Sequence, residues 1–129
     1  MGTRSIITVM GDDDQTLVNI YQQFDGYPSS VGLKLAKFLS GIKLVNGLPL
    51  GDTSGLANGM GCLAAQIVTL FKLGAGGCYI VSECGGEDFN YKVSRAGDSF
   101  RVEVSGGSDD SLFSGDTRQF LRYCISSKN

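Results

Sequence analysis

The chain has no histidine. Histidine is the most frequent general base and the side chain whose unperturbed charge changes near neutral pH. Its absence moves the expectation from catalysis toward binding, although Asp, Glu, Tyr or Lys can also carry a proton. No run of ~20 apolar residues occurs, so no membrane span is expected. The opening Met1-Gly2-Thr3-Arg4 lacks the apolar core of a signal peptide and matches a lipidation signal poorly. A cytoplasmic location with reduced thiols is the expectation. The four cysteines, Cys62, Cys78, Cys84 and Cys124, include no C-x-x-C pair. A zinc site needs close ligand pairs, so no metal is expected and each cysteine reads as a small buried hydrophobe. A formal net charge of −2 gives no global field that would attract long nucleic acid.

What is present fits one α+β domain over residues 1–129, long enough to bury a core. Only two prolines punctuate the chain, but 19 glycines do. That is about twice the usual ~7% and implies many tight turns. Arg4–Met10 is β-branched and almost continuously apolar, which predicts a strand buried on both faces. Gly11-Asp12-Asp13-Asp14-Gln15 is a turn, and Thr16–Gln23 returns as the second half of a hairpin. Pro28-Ser29-Ser30 then starts a helix with Ser29 or Ser30 as the N-cap. Its apolar stripe is Val31, Leu35, Phe38, Leu39 and Ile42, with Lys34 and Lys37 turned to water. Residues 43–58 are the longest irregular stretch. Met60, Leu63, Ala64, Ile67, Val68 and Phe71 fit the helical template without a gap, and Gly74-Ala75-Gly76-Gly77 ends that helix.

Three strands follow, at Cys78–Ser82, Phe89–Ser94 and Ser99–Ser105. The last two alternate with period two: Phe89, Tyr91, Val93 against Asn90, Lys92, Ser94, and Phe100, Val102, Val104 against Arg101, Glu103, Ser105. Leu112-Phe113 adds a short strand. Asp116 opens a last helix that buries Phe120, Leu121, Cys124 and Ile125, and the tail from Ser126 frays. The resulting order, ββααβββα, predicts an antiparallel sheet of five to six strands with two to three helices on one face.

Several groups can bind a small molecule. Tyr21-Gln22-Gln23-Phe24-Asp25-Gly26-Tyr27-Pro28 gathers aromatic, amide and carboxylate groups, which can stack a base and read base edges and ribose hydroxyls. A structural aromatic corner explains the same residues equally well. Asn58-Gly59-Met60-Gly61 leads into a helix N-terminus, where phosphates bind. Close helix packing is the alternative for those glycines. Arg118 and Arg122, four apart, share a helix face and can clamp a pyrophosphate, unless they are simply solvated. Three acidic clusters, Asp12–Asp14, Glu87-Asp88 and Asp109-Asp110, lie in turns and read as solvated charge.

Taken together, Gly2-Thr3-Arg4-Ser5-Ile6, Tyr21–Pro28, Asn58–Gln66 and Leu112–Asp116 with Phe120, Tyr123 and Cys124 resemble a family of small phage proteins, the first type of Thoeris anti-defence protein. The likeness runs nearly end to end. It implies a non-enzymatic sponge that captures cyclic ADP-ribose isomers made by TIR-domain enzymes and holds them intact, so that the bacterial effector stays inactive. It further implies homodimers with nucleotide pockets at the protomer interface. Some members form hexamers, as trimers of dimers, and hold cyclic trinucleotides of cGAS-like systems in separate pockets. No cofactor is implied. The contact residues are assigned from chemistry instead. Tyr27 with Phe89 or Tyr91 would stack the base, and Arg101, Arg118 and Arg122 would hold the phosphates. Gln23, Asp25, Asn58 and Asn90 would reach the base or ribose. Two other readings compete: a phosphodiesterase with a metal at Asp25 or Asp12–Asp14, and a module that binds a host defence protein.

Overall fold

The computed structural model describes residues 2–127. Strand β1 (Ser5–Met10) is buried along its whole length and pairs with β2 (Thr16–Gln22) through the expected hairpin. A π-helical turn at Pro28–Gly32 leads into α1 (Leu33–Ser40). The expected Ser29 or Ser30 cap is replaced. Tyr27 is the extended residue before the turn and makes no side-chain cap, and Pro28 takes the first position. Proline fits there because that N–H has no helical partner in any case. Lys34 and Lys37 are exposed as expected, and the Lys34 ammonium also sits 5.0 Å from the centre of the Phe71 ring.

The stretch expected to be irregular contains two short parallel strands, β3 (Lys43–Val45) and β4 (Leu56–Asn58), which feed α2 (Gly59–Phe71). After β5 (Cys78–Val81) come β6 (Phe89–Ala96), β7 (Ser99–Gly106) and β8 (Ser111–Asp116). The chain closes on α3 (Thr117–Ser126). Ser126 ends α3 with its hydroxyl donating to the Tyr123 carbonyl. The part of the expected frayed tail at 128–129 lies outside the described residues.

The six-stranded sheet runs β5-β2-β1-β6-β7-β8. It is mixed, not wholly antiparallel, because β1 and β6 are parallel neighbours. β5 therefore also runs parallel to β6, and residues 82–88 cross the sheet between them. Val81 lies level with Thr8 and Phe89 level with Ser5. The crossing spans about 17 Å, given strands ~4.8 Å apart and ~3.3 Å per residue. The extended segment can reach about 26 Å, so it arches over the sheet as a strap. The Asn19 amide donates to the Ser82 carbonyl at 3.3 Å, and the Arg4 N–H donates to Asp88 Oδ2 at 2.9 Å. Asn19 and Thr8 share a face with Ile6, so the strap crosses the side opposite the helices. Ile6 is fully buried although it points to that side.

The three helices cover the other face. Ile7, Val9, Ile20, Tyr91, Val93, Phe100, Val102 and Val104 meet Leu35, Leu39, Leu63, Ile67 and Phe120 in one core. The Tyr91 hydroxyl donates to the Gly26 carbonyl at 2.7 Å. Gly26 is required by space: a Cβ there would stand 2.8 Å from the Ser5 Cβ. Burial drives the Tyr91 hydroxyl far above its ordinary value and pushes the Cys124 thiol up to about 12. Both groups stay protonated in the fold while the unfolded chain ionises. The Cys124 contribution is therefore full below the ordinary thiol value of 9.0 and is lost as pH rises toward 12, and that of Tyr91 starts to fall only above its ordinary value of 10.0. Urea midpoints should fall steadily across that window and stay flat for these groups below it.

α3 carries a reciprocal cap. The Gln119 N–H donates to Asp116 Oδ1 at 2.8 Å and the Asp116 N–H to Gln119 Oε1 at 2.9 Å. Asp116→Ala should cost about 1 kcal/mol, measured by urea unfolding.

Candidate functional site

β1 begins where β2 ends, and the chain beyond β2 turns at Phe24-Asp25-Gly26. Asp25 sits at φ 57, and the Gly26 N–H donates to the Thr3 carbonyl at 2.9 Å. This turn leaves Phe24 56% exposed. A cleft of about 300 Å³ lies on the strap side of it, lined by Gly2, Arg4, Tyr21, Gln23 and Phe24. Arg4 and Tyr21 are brought there by parity: each alternates with a residue on the helical face. The Tyr21 ring is 6.1 Å from that of Tyr79, which widens the aromatic surface. The Arg4 guanidinium makes one hydrogen bond, from Nη2 to the Gly86 carbonyl at 3.4 Å, and no ion pair among the described residues. Most of its five donors are therefore available.

Beyond the strap, the same sheet face carries a polar trough. Two depressions of about 150 and 200 Å³ share Asn90, Ser105 and Asp109. Lys92 and Glu103 stand opposite each other there without an ion pair within 4.0 Å. Glu103 lies 3.8 Å from Arg101 instead. Glu87, Glu103 and Asp109 against Lys92 make this lining acidic on balance.

The residues selected from sequence scatter over these regions. Gln23 lines the Arg4 cleft and Asn90 the trough, where its amide donates to the Thr8 hydroxyl at 3.4 Å. Asp25 and Tyr27 meet each other, hydroxyl to carboxylate at 3.4 Å. Asn58 is held in the fold, its Oδ1 accepting the Gly47 N–H at 2.8 Å. Nor does close packing explain the glycines beside it. Gly59 has φ +84, where a side chain is strained, and a Cβ at Gly61 would meet nothing within 4 Å. Tyr91 is fully buried, so its ring cannot stack a ligand. Phe89 is half-buried and stacks on Tyr91, with centroids 6.3 Å apart.

The expected triple arginine clamp does not form within one chain. Arg101 stands on the open sheet face and donates to the Ser114 hydroxyl. Arg118 and Arg122 are exposed on α3, on the helical side of the sheet. The Asp12–Asp14 run is engaged in its turn: Asp12 is 3.5 Å from Arg95, and Asp13 accepts the Gln15 N–H. Among the described residues, no group of three or more His, Cys, Asp or Glu is placed to hold a metal. No helix among them is long and apolar enough to cross a membrane.

Arg4 is not among the expected contacts, whereas Tyr21 and Phe24 belong to the Tyr21–Pro28 stretch expected to stack a base. The parity of Arg4 with Ile6 and Thr8 puts it on one sheet face with Tyr21, and that signal was available. The Phe113–Tyr123 stack, with centroids 4.9 Å apart, was also missed. Comparison with protein-family models, curated proteins and solved structures finds no match to this chain.

Proposed function

We propose that the protein binds a cyclic ADP-ribose isomer and sequesters it without degrading it. The observation that carries this reading is the Arg4 cleft, where a guanidinium, an amide and two aromatic rings surround about 300 Å³. Tyr21 and Phe24 bound the cleft with aromatic faces, Arg4 offers a fork for the pyrophosphate, and Gln23 reaches a ribose hydroxyl. Electrostatics favour this cleft over the trough. A carboxylate about 7 Å from a phosphate costs roughly 1–2 kcal/mol at intermediate dielectric. The trough presents three carboxylates; the Arg4 cleft has none in its lining, and Asp88 behind it accepts the Arg4 N–H.

In this reading the protein is a phage-encoded anti-defence sponge in the host bacterial cytoplasm. Capture keeps the signal of TIR-domain enzymes from the Thoeris effector. The proposal includes a homodimer, or a hexamer built from dimers. The depression between α1 and α2, lined by Phe38, Cys62, Ala65, Gln66, Thr69 and Leu70, is apolar enough to serve such an assembly. It extends to cyclic trinucleotides at a separate site, for which Arg118 and Arg122 are an exposed guanidinium pair.

The test is recovery of the guest. The protein is incubated with the signal and heat-denatured, and the supernatant is assayed for effector activation. Intact, active signal in stoichiometric amount is expected. A linear product, or turnover by substoichiometric protein that a chelator abolishes, would establish a phosphodiesterase instead.

A further inference from the structure

We infer that a second cleft, on the other side of Phe24, is a nucleobase pocket in which Gln22 reads the edge of the ring. This deepens the capture reading and rests on it for the identity of the complete guest. The cleft holds about 260 Å³ and is lined by Gln22, Phe24, Phe71, Leu73 and the loop Gly74–Gly77. Phe24 also lines the Arg4 cleft, so one ring forms a wall of both.

The lining suits a flat heteroaromatic ring. Phe24 and Phe71 supply aromatic surface, and Leu73, 86% exposed, extends the apolar wall. Nothing stands within 4 Å of where a side chain would begin at Gly74 or Gly77, so a ring can lie directly on the loop backbone. No lysine, arginine or carboxylate lines this cleft directly; Lys72 beside it is engaged with the Gly76 and Cys78 carbonyls, and the Lys34 ammonium lies 5.0 Å from the centre of the Phe71 ring.

The polar group is Gln22. It is only 7% exposed, yet it reaches the cleft. It is fixed by pairing with Ser5 on one side and Cys78 on the other. Its one side-chain hydrogen bond runs from Nε2 to the Cys78 sulfur at 3.1 Å. Sulfur is a weak acceptor. Its Oε1 is not sealed in the core as a buried atom without a partner, so it stays open on the cleft side. An amide held rigidly by the sheet, paired only to sulfur and opening on an aromatic cleft, matches the donor–acceptor edge of a base. The two clefts divide the guest, with the base beside Gln22 and the phosphates beside Arg4.

Adenosine and inorganic pyrophosphate, titrated separately into isotope-labelled full-length protein, test this by amide NMR. Adenosine should shift the Gly74, Gly76 and Gly77 backbone amides and the Gln22 side-chain amide, and pyrophosphate should shift the Arg4 signals. Gln22→Met, of similar volume, should weaken adenosine about tenfold and leave pyrophosphate unchanged. Phe24→Ala, at an exposed position that does not endanger folding, should weaken adenosine as well. If cyclic ADP-ribose isomers bind but adenosine leaves the loop amides unmoved and Gln22→Met keeps full affinity for them, the base pocket is wrong and capture stands. If adenosine binds beside Gln22 while every such isomer is ignored, capture is wrong and the pocket stands.

Discussion

Replacing Phe120 by alanine is expected to remove about 4 kcal/mol of stability. Phe120 is fully buried where α3 packs on the sheet. Its ring lies 6.1 Å from Tyr91 and 5.8 Å from Phe113, so truncation opens a cavity bounded by two aromatic rings that cannot collapse into it. A domain of this kind has about 5–15 kcal/mol in total. The variant should therefore show a strongly lowered urea midpoint with an unchanged slope. Leu121→Ala, one residue along and only partly buried, should lose much less. Equal losses at both positions would contradict the core as described.

The second large effect concerns binding. Arg4→Ala with Phe24→Ala should weaken capture of a cyclic ADP-ribose isomer about a thousandfold. Stacking of a base on one aromatic ring contributes ~2 kcal/mol, and a hydrogen bond to a charged group contributes ~2 kcal/mol. Each single substitution should then cost roughly thirtyfold and the pair their product. Both side chains are exposed, so thermal stability without ligand should hardly change. Calorimetric titration measures the loss. Affinity within tenfold of wild type in the double variant would move the site away from Phe24, with Arg118 and Arg122 the next residues to substitute.

The face a residue occupies was legible wherever periodicity was strong. The continuous apolar run into Met10 gave a central strand buried on both sides, and the chain places it between β2 and β6. The stripe from Met60 to Phe71 gave α2. Alternation in β6 and β7 separated Tyr91, with Phe89 and Val93, from Asn90 and Lys92. It also contained a warning: a tyrosine that shares parity with Val93 belongs to the core, where its hydroxyl meets Gly26. Spacing on α3 put Arg118 and Arg122 on one side of that helix but said nothing of Arg101, which the sheet separates from them.

The parallel meeting of β1 and β6 left no trace in the residues. Periodicity records which side of a strand is buried, and it is the same whether the neighbouring strand runs up or down. The short strap 82–88 would ordinarily be read as a hairpin loop, since parallel strands usually need a dozen or more residues between them. Only the assembled sheet shows that it can arch across two strands. The sequence by itself determined the longer elements, most of their buried sides and the absence of a histidine base, but not β3 and β4, and it placed inside an Ile125 that is 65% exposed. The tertiary structure decided which polar groups share a cleft, because Arg4, Tyr21, Gln23 and Phe24 come together through strand pairing and a turn, at distances in the chain that no local pattern encodes.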